Sequence, residues 1–268
     1  MFEVDFVSFE WSDYGFQEIY LKFNGKPIPW KAIVRDNTLV NITSRQYRLL
    51  PNEVALAAAD EAAAEIGAVK IADYLDPTGR LYVLYDIKSD VEIIKNVKSK
   101  LGIYVYNSVD GSLAFGASIL NILEKNSKRF YSFMPPHFMT TFLSPEAAIA
   151  IVRKMHRMSL DVEVEKISTK LKALVDRAIE AAEIFRLWSE IKIDEEISKV
   201  LLGRLPQVYL PHYIKAMSEG VTLTELLTVW DAYVDISENI WTSSSGKKAS
   251  IDRKFELYRM LYNALPKP

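Results

Sequence analysis

The chain has no cysteine. Disulfides, thiol nucleophiles and cysteine metal sites are therefore excluded, which suits an intracellular protein. Cysteine is thermolabile, so its absence also suits a thermophilic source, as do only 10 glycines in 268 residues. No run of about 18 apolar residues occurs, so no membrane-spanning helix and no membrane partner are expected. The opening residues, MFEVDFVSFEWSD, are acidic and lack the basic start and apolar stretch of a signal peptide. A cytoplasmic location is the expectation, in the host cell if the source is viral. Neither sign of charge dominates, with a formal net charge of -2. A globally basic nucleic-acid binder is thus not indicated, and any such site must be a local patch.

The familiar catalytic patterns are also missing. His137, His156 and His212 are isolated, and none has a partner at metal-ligand spacing. There is no glycine-rich phosphate loop, which argues against ATP hydrolysis, and no G-x-S-x-G. No catalytic residue, metal or cofactor is expected. Asp73, Asp76 and Asp86 flank one hairpin and could hold Mg²⁺ as nuclease carboxylates do. Against that minor alternative, Asp76 starts an Asp-Pro turn and no lysine partner stands at a recognisable spacing.

The first half reads as strands with one helix. Val4 to Phe9 and Phe16 to Phe23 alternate apolar and polar residues. Asn24-Gly25 is a turn signal, and Arg35-Asp36-Asn37-Thr38 separates a second hairpin pair. Asn52 is the expected N-cap of an alanine-rich helix to about Ile66, which Gly67 stops. Val69 to Leu75 and Arg80 to Ile87 flank the turn Asp76-Pro77-Thr78-Gly79. Ser89 to Lys100 reads as a short helix or a loop. Leu101 to Asn107 is the central strand. Ile119 to Glu124 is ambiguous between strand and helix, and Phe130 to Phe142 reads as an aromatic connector.

The second half reads as helices. They are expected at about 144–158, 162–191, 194–202, 211–217, 222–241 and 251–265, with Pro145 at a first helical position and Asp194 as a cap. The fold class expected is α+β. A mostly antiparallel sheet with one alanine-rich helix packed on it fills residues 1–142, and a helical region packed on that sheet fills 143–268.

Four segments together resemble a family. They are Ile42 to Glu53, reading ITSRQYRLLPNE; Tyr104 to Ser118, reading YVYNSVDGSLAFGAS; Leu171 to Trp188; and Thr228 to Asp235, reading TVWDAYVD. In this order they resemble the family described as domain of unknown function 932, often labelled phage/plasmid-like protein. Two departures stand out. Ile122 to Asn126 lacks the cysteine that the family commonly has there, and Tyr233-Val234-Asp235 replaces its Tyr-Asn-Ala. The resemblance implies a protein of a virus, plasmid or other mobile element. More distantly, its strand-rich core with one helix resembles single-strand-annealing proteins of the Red-beta and Erf type. That analogy implies non-enzymatic binding of single-stranded DNA, in annealing or protection during recombination or replication, by a homo-oligomer.

The residues offer candidates for that role. Arg45, Tyr47 and Arg48 combine guanidinium groups with an aromatic ring, which suits phosphate contact and base stacking. Lys95, Lys98 and Lys100, and Lys125, Lys128 and Arg129, form two basic clusters on either side of the central segment. The opposing reading makes Tyr47 a packed residue and the cations a solvated surface. Asp110-Gly111-Ser112 reads as tight-turn chemistry before a ligand site. The alternative function is a viral structural or self-assembling interaction protein, in which Trp188, Trp230 and Trp241 serve a core or an interface.

Overall fold

The computed structural model describes residues 4–5, 16–45, 50–75, 79–87, 92–109, 115–134, 140–141, 161–222, 227–242 and 251–267. The fold is α+β, with antiparallel sheets first and helices mainly C-terminal. One sheet runs in the order β1 (Val4–Asp5), β2 (Phe16–Phe23), β3 (Lys26–Arg35) and β4 (Thr38–Ser44). The other comprises β5 (Val69–Leu75), β6 (Arg80–Asp86), β7 (Glu92–Ile94), β8 (Val97–Ser108), β9 (Gly116–Lys125), β10 (Lys128–Phe133) and β11 (Thr140–Thr141). Its path is β10-β9-β8-β6-β5, with β7 on β8 and β11 on β9. The helices are α1 (Asn52–Glu65), α2 (Asp161–Glu190), α3 (Glu195–Arg204), α4 (His212–Ser218), α5 (Val229–Thr242) and α6 (Ile251–Ala264).

The chain divides into two compact units, each drawn from several segments. Unit 1 is residues 1–85, 105–117 and 140–171, and unit 2 is the remainder. The boundary expected at 142/143, the helix expected at 144–158 and the turn Asp110-Gly111-Ser112 all lie outside the described residues.

Among the described residues, four reversals are two-residue hairpins. Their tips are Asn24-Gly25, Asp36-Asn37, Lys95-Asn96 and Asn126-Ser127, with φ between 48° and 72° at both positions of each. Positive φ at both positions matches the right-handed twist of the flanking strands. The first two tips were legible. The last two correct the expectation: within Ser89 to Lys100, read as a short helix or a loop, residues 92–100 belong to the β7–β8 hairpin, and the supposed aromatic connector begins inside strand β10. Ile119 to Glu124 resolves as strand β9.

In unit 1, α1 buries Asn52, Ala55, Ala59 and Ala62 along one stripe, and small side chains let it lie close against its neighbours. Asn52 is not the N-cap, since Pro51 holds that position with no side-chain bond. Instead the buried Asn52 amide donates to the Gly79 carbonyl at 3.1 Å and accepts from Asn107 Nδ2 at 2.8 Å. Asn107 Nδ2 also donates to Leu50 O at 3.0 Å. A clamp between segments 55 residues apart thus outcompetes local capping. Phe16, Ile33 and Val109 form a core cluster, with Val40 packed against it. On the same sheet face, Lys31 and Glu18 make a buried ion pair at 2.7 Å.

In unit 2, α5 and α6 pack on β10. Phe185 and Trp188 of α2 meet Trp230 and Tyr233 of α5, with ring centroids 5.2–5.4 Å apart. Buried polar groups lie at the seam. Tyr233 donates its hydroxyl to Ser132 Oγ at 2.8 Å, and Ser99 donates to Asn121 Oδ1 at 2.9 Å. Burial pushes the Tyr233 hydroxyl up to about 12. Asp194 caps α3 as expected, accepting from the Ile197 amide at 2.8 Å. Asp194→Ala should cost about 1 kcal/mol in urea unfolding. An unchanged midpoint would show that the cap contributes nothing.

Candidate nucleic-acid interface

The hairpins β7–β8 and β9–β10 carry both basic clusters. Lys98 meets Glu124 at 2.6 Å and Ser99 meets Asn121 at 2.9 Å, so the start of β8 lies beside the end of β9. Both hairpin tips therefore emerge at one end of this part of the sheet. The fold gathers Lys95, Lys98, Lys125, Lys128 and Arg129 there, from segments about 30 residues apart in the chain.

Carboxylates accompany the lysines. Helix α5 lays an acidic stripe against the tips, with Asp231, Asp235 and Glu238 at i, i+4 and i+7. Lys95 pairs with Asp231 at 2.8 Å, Lys125 with Asp235, and Lys128 approaches Glu238 at 4.0 Å. Lys100, further along β8, pairs with Asp86 at 2.7 Å. Lys125 and Lys128 stand directly opposite across the hairpin, a like-charge pair that the stripe offsets. Arg129 is exposed opposite Glu124. Lys98 holds the Glu124 carboxyl below the usual carboxylate range.

The stripe has structural work as well. Asp231 accepts from the Thr228 amide at 2.7 Å and its hydroxyl at 2.8 Å, the reach-back half of a capping arrangement at the start of α5. Burial raises the Asp231 carboxyl, but Lys95 and the Thr228 bonds outweigh it and hold it below its ordinary range. Asp235 also accepts from the Tyr213 hydroxyl at 3.0 Å; burial and then the Asp235 charge push that phenol up. The stripe was readable in the sequence as acids at helical spacing. Its partnership with hairpins more than 100 residues away was not.

The remaining candidates are placed elsewhere. Arg45 belongs to unit 1, where its guanidinium lies over the Tyr20 ring at 4.9 Å and Nη2 donates to Leu21 O at 3.5 Å. Its buried Nε has no hydrogen-bond partner. Tyr47 and Arg48 lie outside the described residues. So does Asp76 of the nuclease alternative, while Asp86 is taken by Lys100. Among the described residues no group of three His, Cys, Asp or Glu side chains is disposed to hold a metal ion. Trp188 and Trp230 are core residues. No described helix is long and apolar enough to cross a membrane.

Comparison with family models, with curated proteins and with solved structures found no match to this chain.

Proposed function

We propose that the protein binds nucleic acid, single-stranded DNA above all, through the hairpin end of unit 2, without catalysis and without a cofactor. The reading follows from the resemblance to the phage/plasmid-like family and from one observation: five of the six clustered cations, all but Lys100, lie at a single end of the sheet. The ion pairs there are partly solvent-exposed. Such pairs contribute about 0–1 kcal/mol each, so a phosphate can exchange with a carboxylate at little cost. Lysine contacts to phosphate carry no sequence information, so binding should be independent of sequence.

Fluorescence anisotropy of a labelled single strand over a salt series tests this. Five phosphate contacts give a slope of log affinity against log salt of about −3 to −4. The K125A/K128A/R129A variant should flatten that slope by about 2. No binding at the lowest salt, or a slope untouched by the variant, would overturn the proposal. Self-association without binding would favour the self-assembling alternative. Glu238→Gln removes the carboxylate beside Lys128 and should tighten binding several-fold at low salt, an effect that fades as salt screens it. Weaker binding by that variant would show that the α5 stripe does not compete with phosphate.

A further inference from the structure

We infer that a single strand lies on the sheet face of unit 2 turned away from α5, with an unpaired base stacked on Tyr131 and phosphates on Arg129 and Lys98. The inference deepens the nucleic-acid reading above and rests on it. Strand alternation sorts the cations between two faces. Lys125 and Lys128 pair with Asp235 and Glu238 of α5, and Ser132 Oγ accepts from Tyr233 of the same helix. Lys128 and Ser132 of β10 therefore face α5, and Arg129 and Tyr131 face the other way. Glu124 stands directly opposite Arg129 and meets Lys98 at 2.6 Å, which puts Lys98 on that second face too.

The two faces differ in charge. On the α5 side, Asp231, Asp235 and Glu238 answer Lys95, Lys125 and Lys128 one for one. On the far side a single carboxylate, Glu124, stands between Lys98 and Arg129, both of them exposed. Neighbouring strands lie about 4.8 Å apart, so the two cations flank Glu124 at roughly 10 Å from each other. Lys100 follows on the same face and is taken by Asp86. Among the described residues, the row at the hairpin end is thus left one positive charge in excess.

Aromatic rings continue from that row. Along β10 this face passes from exposed Arg129 through half-buried Tyr131 to buried Phe133. Strand β10 ends the sheet path, and the last turn of α5 carries Trp241 past that edge. The Trp241 ring meets Tyr131 at 4.8 Å and 74°, a contact that fixes the orientation of the phenol ring. The Lys254 ammonium lies over Trp241 at 4.0 Å and adds a cation beside the rings. Tyr131 is about 7 Å along the strand from Arg129. A partly open ring next to a guanidinium suits a base and its phosphate together. An acidic peptide would answer the cations and leave the ring unused. An apolar partner would strip the cations of water without pairing them. A duplex keeps its base faces stacked inward, so only an unpaired strand can use the ring.

Anisotropy titrations of the full chain with three labelled probes of equal length test the inference: an oligothymidine, an abasic strand and a duplex. The wild type should bind the oligothymidine about tenfold tighter than the abasic strand. Tyr131→Ala should lose that factor on the oligothymidine, leave the abasic strand and the duplex bound as before, and keep the salt slope, since no charge is removed. Tyr131→Phe keeps the ring and should bind as the wild type does. Should Tyr131→Ala melt early by circular dichroism, the wild-type preference for bases over abasic sites decides alone. Equal wild-type affinity for the oligothymidine and the abasic strand would overturn the inference and leave the cationic reading standing. So would a Tyr131→Ala chain that binds the oligothymidine normally, or one that loses all three probes alike. No binding of any probe by the wild type would overturn both.

Discussion

Trp230→Ala should lower the free energy of unfolding by about 3–5 kcal/mol, the usual cost of truncating a buried tryptophan. Trp230 is fully buried, and its indole N–H donates to the Ile94 carbonyl at 3.3 Å. Its ring packs on Phe185 at 5.3 Å and Tyr233 at 5.4 Å. Truncation leaves a cavity at the centre of the aromatic cluster and a carbonyl without its donor. The bond to Ile94 also ties α5 to the hairpin tip that carries Lys95, so the acidic stripe should lose its alignment with the lysines. Urea unfolding followed by tryptophan fluorescence and by circular dichroism reads the loss. A change below about 1 kcal/mol would mean that the cluster contributes little.

Gly79→Ala should cost about 3 kcal/mol. Gly79 sits at φ 84°, a conformation that costs a non-glycine residue about 1–2 kcal/mol. An added Cβ would lie 2.2 Å from Val109 Cγ2 and 2.7 Å from the Phe16 ring. Overpacking of this kind costs about 1–3 kcal/mol. The Gly79 carbonyl meanwhile accepts from the Val109 amide and the Asn52 side chain, so the backbone cannot move aside without breaking two bonds. A thermal melt with an unchanged midpoint would refute this account. Val109→Ala in the same chain should recover part of the loss, because it removes the nearest clashing atom.

Much of the architecture was legible, for local reasons. Asn24-Gly25 and Asp36-Asn37 are residue types that accept left-handed backbone, so their hairpins announced themselves. The alanine run, the Asp194 cap and the periodicity of α2 gave helices close to where they stand. Lys95-Asn96 and Asn126-Ser127 make the same turn with less favoured residues, and that hid two hairpins. Lysine-rich strands add to the concealment, since lysine has little preference for a strand. Asn52 misled for the opposite reason. It is a good cap by type, but Asn107 recruits it from 55 residues away. That bond joins the start of α1 to β8, so both asparagines do structural work here.

The candidate site was half legible. The sequence named the cations, and the idea that folding could bring them to one face follows from their place on either side of the central segment. Their pairing with Asp231, Asp235 and Glu238 depends on where α5 docks, and no local pattern encodes that.

The two-residue hairpins also bear on the order of assembly. Closing a loop of two residues requires little chain entropy, and hairpins form in about 1–10 μs. The Tyr258 hydroxyl, by contrast, reaches the Tyr131 carbonyl across 127 residues. In kinetic terms, β10 has its register from its own tip before α6 can arrive. The slow search in unit 2 therefore falls to the C-terminal helices, which dock on an edge already laid down.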